Sequence, residues 1–377
     1  MGAERNLQHT SLQPLQPRQT RRSKPSAMEA ACAKLIAAMS YTVAILGATG
    51  AVGREMLRVL EQRDFPIKEL RLLASPRSAG KFLMFRGAEH QVRAVDAVRF
   101  NGVDVALFSA GATPSRTWAP IAESFGAWVV DNSSAWRASH DVALVVSEVN
   151  MAAPALLERR VVANPNCVAI PLAVALKPLH DAFGLKRLVV STYQSASGKG
   201  QAAVDELLAD TARVLAGEAT APAVFPRSLA FDVLSDWRAE DELRSEEEAK
   251  VAAECRKILA LHTLPVTATC VRVPVLRGHA ASVMAEFERP LTAKGAEALW
   301  AAAPGVSLIS GPYAPGSGPS PSQSVGGDTV LVGRARGEEG NACALHFFLA
   351  ADNLRKGAAL NAVQIVEALH LRGMLGR

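Results

Sequence analysis

The chain has 377 residues, 49% hydrophobic and 20% charged, with a formal net charge of +5. This is the profile of a soluble globular protein long enough for two domains. Much of the positive excess lies near the start, where Arg5, Arg18, Arg21, Arg22, Lys24 and Lys34 face only Glu4 and Glu29; the body carries no basic stripe with interleaved aromatics, which argues against nucleic acid as a partner, and no run of 18 apolar residues that would cross a membrane.

Residues 1–40 are Gln-, Arg-, Ser- and Pro-containing with little apolar periodicity until Met28, and read as a disordered extension. The reading is of a dispensable leader on a cytoplasmic protein, with an organellar transit peptide as the alternative. Tyr41 to Leu46 predicts a short strand and Val52 to Arg63 a helix. Between them lies Gly47-Ala48-Thr49-Gly50-Ala51-Val52-Gly53. A glycine turn between strand and helix lets backbone approach a pyrophosphate, although such turns use glycine for packing too. The next predicted strand, Leu70 to Ala74, ends in Ser75-Pro76-Arg77-Ser78. No acid stands there to hold a ribose 2′-hydroxyl, and a guanidinium with flanking hydroxyls suits a 2′-phosphate, hence NADP. A polar surface turn serves equally well, and the stretch alone leaves both open.

Val103 to Ser109 and Ala127 to Val130 predict further strands around a helix from Pro114 to Phe125. Arg137 follows a polar loop at a strand's carboxyl end, as an anion clamp or a solvated arginine. The alternation through Ala163 predicts a doubly wound parallel sheet. It ends at Asn164-Pro165-Asn166-Cys167, with a helix from Val168 to His180 directly after. A cysteine at a helix N-terminus is expected to favour the thiolate, the reactive form. The five cysteines (Cys32, Cys167, Cys255, Cys270 and Cys343) are odd in number, widely spaced and free of C-x-x-C. That argues against a disulfide framework or metal site and for a reducing compartment.

Beyond Cys167 the pattern predicts strands at 187–193, 266–275, 281–288, 306–309, 329–336 and 343–351, forming a mixed and largely antiparallel sheet. Helices are expected at 201–216, 245–261 and 354–375. Residues 222–243 read as irregular, and 311–327 as a mobile loop. In the strand Cys270 to Val275, Arg272 alternates away from Val271 and Val273, which suits a substrate carboxylate, an internal ion pair or an exposed sheet face. His279 follows Gly278 at that strand's end, where an imidazole can move protons beside a cysteine nucleophile.

Read together, the stretches 47–53, 74–81, 132–137, 164–167, 193–200, 247–250, 272–279 and 352–364 resemble the aspartate-semialdehyde dehydrogenase family. The resemblance covers all but the leader. It implies an N-terminal Rossmann-like domain of residues 41–166 plus 353–377 and an α+β catalytic and dimerisation domain of residues 167–352. It also implies NADPH-dependent reductive dephosphorylation of L-aspartyl 4-phosphate to L-aspartate 4-semialdehyde through a cysteine thioester, in lysine, threonine, methionine and isoleucine biosynthesis. The partners it implies are aspartyl phosphate, inorganic phosphate and a second copy of the chain, with a tetramer as the larger alternative. Carried over, Cys167 is the nucleophile, His279 the acid/base and Gln194 the residue that positions the acyl group. Arg272 holds the α-carboxylate and Glu247 the ammonium. Arg137, Asn166 and Lys250 form the phosphate site. Gly47, Thr49, Gly50, Ala51, Val52, Gly53, Ser75, Arg77, Ser78, Ser197, Gly198 and Asn353 contact NADP.

The chain departs from the family pattern at Val168, where a hydroxyl residue is usual, at Pro76, and in 225–241, which lacks an Ile-Pro segment. Reduction of N-acetyl-glutamyl phosphate is the nearest alternative reaction. Glyceraldehyde-phosphate oxidation is a further one, and a non-catalytic paralogue stands outside both.

Overall fold

Tyr41–Leu46 (β1) is buried along its whole length, because its two sets of alternating side chains feed two different cores. Tyr41, Val43 and Ile45 pack with Met56 and Leu60 of the helix Ala51–Gln62 (α1). Ala44 and Leu46 pack with Ala119 and Ala122 of the helix Ala112–Ser124 (α2). Double burial of this kind is what a central parallel strand requires. The computed structural model describes residues 39–153, 158–235 and 244–376; the expectations for residues 1–38, for Cys32 and for the last part of 225–241 lie outside them.

The first sheet continues with Ile67–Ala74 (β2), Phe82–Phe85 (β3), Ala88–Ala94 (β4), Val105–Phe108 (β5), Trp128–Asp131 (β6), Ala143–Leu144 (β7) and Val161–Ala163 (β8). Its order is β3-β4-β2-β1-β5-β6-β8-β7, parallel throughout except for the β3–β4 hairpin. The expected doubly wound parallel sheet is therefore present. The hairpin, β7 and a one-turn helix Ser147–Asn150 (α3) have no counterpart in the sequence reading, since each is short and held by neighbours rather than by its own periodicity.

Ala169–Phe183 (α4) follows β8 and is apolar on nearly every side, with Ile170, Leu172, Val174, Leu176 and Leu179 all buried. It is wedged between the first sheet and a second. The second sheet contains Leu185–Gln194 (β9), Val266–Arg272 (β10), His279–Phe287 (β11), Val306–Ile309 (β12), Val330–Glu338 (β13) and Asn341–Ala351 (β14). Its order is β10-β9-β11-β14-β13-β12, antiparallel in the middle and parallel at both edges. One continuous core joins Phe108 and Val161 of the first sheet, α4, and Leu188, Val283 and Phe347 of the second.

The remaining helices are Gln201–Leu215 (α5), Glu246–Ile258 (α6), Ala293–Ala302 (α7), Pro321–Ser324 (α8) and Leu360–Leu371 (α9). The stretch expected as a mobile loop folds on itself: Tyr313 Oη donates to Ile309 O at 2.9 Å, and Ser320 caps α8. The single helix expected over 354–375 is instead a π-helical turn, Arg355–Ala359, followed by α9. α9 packs beside α1 under the first sheet, where Tyr41 Oη lies 2.7 Å from His370 Nδ1. Among the described residues no helix is long and apolar enough to cross a membrane.

Candidate active site

Cys167 lies at the head of α4, where the two sheets meet. The stretch before it is fixed by side-chain amides. Asn164 donates to Asn132 Oδ1 and accepts from Asn361 Nδ2, both at 2.6 Å. Asn166 is held three ways: its N–H donates to Glu254 Oε2 (2.5 Å), its Nδ2 donates to Glu247 Oε1 (3.0 Å), and its Oδ1 accepts from Val168 N–H (2.8 Å). The last bond runs against the thiolate expectation. The first amide past the cysteine is taken by Asn166, and α4 begins only at Ala169. Burial and the Glu247 carboxylate push the Cys167 thiol up to about 12, and the nearby Arg272 and Arg137 offset only part of this.

Three adjacent strand ends supply the partners. Gln194 closes β9, Arg272 closes β10 in register beside it, and His279 opens β11. Glu247 reaches in from the first turn of α6, which is fixed by a capping box between Ser245 and Glu248. Its Oε1 also accepts from Gln194 Nε2 at 3.2 Å. Arg272 is buried, and its Nη1 donates to Ser195 O at 2.6 Å. Leu234 and Arg272 exchange both backbone hydrogen bonds, so the irregular segment before α6 is anchored on the arginine. A Cβ at Gly198 would stand 2.8 Å from Arg272 Nη1 and 3.1 Å from His279 Nε2. Any side chain there would have to displace the guanidinium and crowd the imidazole.

The hydrogen bonds of His279 fix its tautomer. Ser195 N–H donates to Nδ1 at 3.0 Å, and a backbone amide can only donate. The neutral ring therefore carries its proton on Nε2, which is buried and has no hydrogen-bond partner among the described residues. Burial and the Arg272 charge push the pKa down to about 3.

Arg137 lines the cleft wall, partly buried, and is held by the protein through part of its guanidinium. Its Nε donates to Asn164 O (3.0 Å), its Nη2 to Asn132 O (2.9 Å) and its Nη1 to Glu254 Oε1 (3.1 Å). Three of the five guanidinium donors are thus engaged. Glu254 was missed in the sequence. It stands seven residues after Glu247, a spacing that puts both on one helix face, and this is the signal that could have found it. Glu254→Leu is expected to cost about 2–4 kcal/mol in chemical denaturation, because it leaves a partly buried guanidinium and the Asn166 N–H without their acceptor.

A cleft of about 360 Å³ runs from Cys167 to the glycine turn, lined by Gly50, Ala51, Val52, Asn132, Arg137, Asn166, Ser197, Gly198 and Asn353 among others. Gly47 has φ +87° and its Cβ would fall 2.4 Å from Ser109 O; a Cβ at Gly53 would fall 2.3 Å from Gly47 O. Both are demanded by packing, whereas Gly50 faces the cleft. α1 has no side-chain cap and no acid in its first turn, leaving its first N–H groups open to an anion. Thr49 is partly buried beside them. Asn353 accepts from Gly278 N–H at 2.8 Å and from Ser197 Oγ at 3.1 Å, joining the two loops that flank His279.

The lining of this cleft includes neither the expected cofactor contacts Gly47 and Gly53, which pack against backbone, nor Gln194, Glu247, Arg272 and His279, which stand on the neighbouring strand ends and α6. Ser75 and Arg77 are exposed and Ser78 partly so, on a 3₁₀ turn past β2. They neighbour the glycine turn, whose Gly47 N–H donates to Leu73 O at 2.9 Å. Lys250 lines an adjoining cleft of about 450 Å³ with Arg137 and Lys257, and its ammonium pairs with Glu246 Oε1 at 2.5 Å.

Two family models match the chain: "Semialdehyde dehydrogenase, NAD binding domain" over residues 42–156 and "Semialdehyde dehydrogenase, dimerisation domain" over 176–356. The aspartate-semialdehyde dehydrogenase of Synechocystis is 46% identical over 336 residues, covering 88% of this chain and 98% of the relative. That of Aquifex aeolicus is 45% identical, covering 89% and 100%. Among solved structures, aspartate semialdehyde dehydrogenase II of Vibrio cholerae in complex with ASA superposes with a TM-score of 0.85 at 42% identity, over 88% of this chain and 98% of that one. With this fold, this cleft and these relatives, the chain belongs to the aspartate-semialdehyde dehydrogenase family.

Proposed function

We propose that the protein reduces L-aspartyl 4-phosphate to L-aspartate 4-semialdehyde with NADPH, releasing inorganic phosphate, by way of a thioester on Cys167. The observation that carries this reading is a cysteine at the end of a cleft that opens on an uncapped helix, its thiol within reach of the Arg272 and Glu247 charges, with Gln194 on the strand end beside Arg272 and a His279 Nε2 that has no partner among the described residues. The uncapped α1 terminus and the clearance at Gly50 fit a dinucleotide pyrophosphate, with Ala51, Val52, Ser197, Gly198 and Asn353 along its course. When bound, the nicotinamide supplies the hydride that reduces the acyl group.

The chain's own residues do the rest. Arg272 offers a planar fork to the substrate α-carboxylate, and Glu247 a carboxylate to its ammonium. Gln194 aligns the acyl group. Cys167 sulfur attacks the acyl carbon, and the acyl–oxygen bond to phosphate breaks. The thiol proton leaves as the C–S bond forms and the freed phosphate oxygen gains one, so the step balances. Asn166, the open donors of Arg137 and, from the adjoining cleft, Lys250 hold the phosphate. His279 Nε2–H donates to the acyl oxygen as charge builds there. Glu247 also separates this reading from N-acetyl-glutamyl phosphate reduction, because an acylated nitrogen carries no charge to pair with it.

The cofactor and the assembly follow the same reading. Arg77, Ser75 and Ser78 suit a 2′-phosphate. Arg77→Ala is expected to raise KM for NADP about 10- to 100-fold with little change for NAD, as measured by initial rates with each. The face of the second sheet turned away from α4 carries Tyr193, Met284 and Phe348. It supports a homodimer, with a tetramer as the larger alternative. We place the reaction in the cytoplasm, feeding lysine, threonine, methionine and isoleucine synthesis.

The deciding assay runs in reverse, with L-aspartate semialdehyde, phosphate and NADP, following absorbance of the reduced nicotinamide. Phosphate-dependent turnover supports the reading. Turnover only with N-acetyl-glutamate semialdehyde, or none by folded protein, sinks it.

A further inference from the structure

The cofactor contact at Asn353 accounts for only part of the stretch Asp352–Gln364. Its turn Arg355–Ala359 is wound with bonds to the carbonyl five residues back: Gly357 N–H to Asp352 O at 2.9 Å, and Ala359 N–H to Leu354 O at 3.1 Å. Such single π turns are rare and concentrate at functional sites. This one lies on the nucleophile. A Cβ at Gly357 would stand 3.1 Å from Cys167 O and 3.2 Å from Cys167 Cβ, so the two backbones meet with no side chain between them. One residue later, Ala358 O accepts from Asn164 Nδ2 at 3.1 Å, a second tie to the cysteine stretch.

A buried charge holds the turn. Lys356 is 0% exposed. Its ammonium donates to both carboxylate oxygens of Glu148 at 2.7 Å and to Gln364 Oε1 at 2.8 Å, and Gln364 Nε2 donates back to Glu148 Oε1 at 3.0 Å. Glu148 belongs to α3 and Gln364 to α9, so the ammonium fastens the turn to two elements at once. An apolar side chain of the same reach would fill this space without desolvating an ion pair. What it would lack is direction.

We propose that Lys356, with Glu148 and Gln364, is a positioning device: it presses the π turn against the Cys167 backbone and so sets where the sulfur points. The proposal rests on the reading of Cys167 as nucleophile. Arg272 and Glu247, which hold the substrate in that reading, sit on β10 and α6, neither on the turn nor on the elements that Lys356 fastens it to. The device therefore acts on the chemical step and not on substrate affinity.

The test compares Lys356→Met, the paired Lys356→Met/Glu148→Gln and, as a control, Lys177→Met, which breaks the exposed Lys177–Asp181 pair. The paired variant leaves no uncompensated buried charge and guards against a mere folding defect. Both Lys356 variants are expected to lower kcat of the reverse reaction about 10- to 100-fold, with KM for the semialdehyde unchanged. Alkylation of Cys167 by iodoacetamide is expected to speed up, because the sulfur is freed as it is misaimed. Lys177→Met should leave all three quantities at wild-type values. Wild-type kcat and alkylation in the paired variant would overturn the proposal, since charge neutrality would then suffice. A rise in KM matching the fall in kcat/KM would overturn it too. If the wild-type protein does not turn over the semialdehyde, the reaction assignment falls instead, and the alkylation arm alone decides whether the device acts on Cys167.

Discussion

Cys167→Ala is expected to lower kcat of the phosphate-dependent reaction by at least about 10⁴-fold, the scale seen when a covalent nucleophile is removed and only binding and polar stabilisation remain. NADP affinity should hold. The polar contacts that shape the cleft wall run through Asn164, Asn166, Glu247 and Glu254, and none of those bonds uses the sulfur. Fluorescence titration with NADPH beside initial rates separates the two quantities. The free protein should also show a sluggish thiol. With the pKa pushed up to about 12, the thiolate fraction grows about tenfold per pH unit across the neutral and mildly alkaline range, and alkylation by iodoacetamide should climb with it and not level off near the ordinary value. Glu247→Gln removes a carboxylate that raises the pKa and should speed alkylation at fixed pH. Arg272→Gln removes the main offsetting cation and should slow it. A plateau below pH 9 in the wild-type protein would show that the helix terminus prevails over burial.

The thiol marks the boundary of what the sequence could show. Its position was legible: an apolar strand, a proline turn and an apolar helix leave little choice about where Cys167 falls. Its protonation was not, because the local rule of the helix terminus is opposed by burial between packed elements and by Glu247, a residue 80 positions away in the chain. Gly47 and Gly53 were legible for a steric reason that the structure bears out in backbone contacts of 2.4 and 2.3 Å. Arg272 was legible as a lone charge in an apolar strand, and it is buried. Glu254 was not, because in a helix rich in charge it looks like any solvated carboxylate until α6 docks on the Asn166 loop. Lys356 was hidden for the same reason. Nothing in the one-dimensional pattern says that a lysine five residues past a strand loses all contact with water.

The second large effect is expected at His279. His279→Ala should lower kcat about 10²- to 10³-fold, the loss associated with one preorganised donor to a developing oxyanion. His279→Gln should recover part of that loss, since a carboxamide N–H can stand near the place of Nε2–H, whereas a residue needed chiefly as a base would not be rescued by an amide. The geometry supports the donor role. Protonating Nδ1 would set two N–H groups against each other at 3.0 Å, because Ser195 N–H already points there. Burial and the Arg272 charge, which hold the ring neutral, give stability a pH dependence of definite sign. The folded imidazole titrates at about 3 and the unfolded one near 6.5, so between those values the unfolded chain binds a proton that the folded chain refuses. His279 thus contributes stability that is fully present above pH 6.5 and is lost as pH falls toward 3. Urea unfolding of the wild-type protein between pH 7 and 4 should show that slope, and His279→Gln should flatten it. A His279→Gln protein as inactive as His279→Ala, with the slope intact, would mean that the ring serves as a base and that the slope comes from groups other than His279.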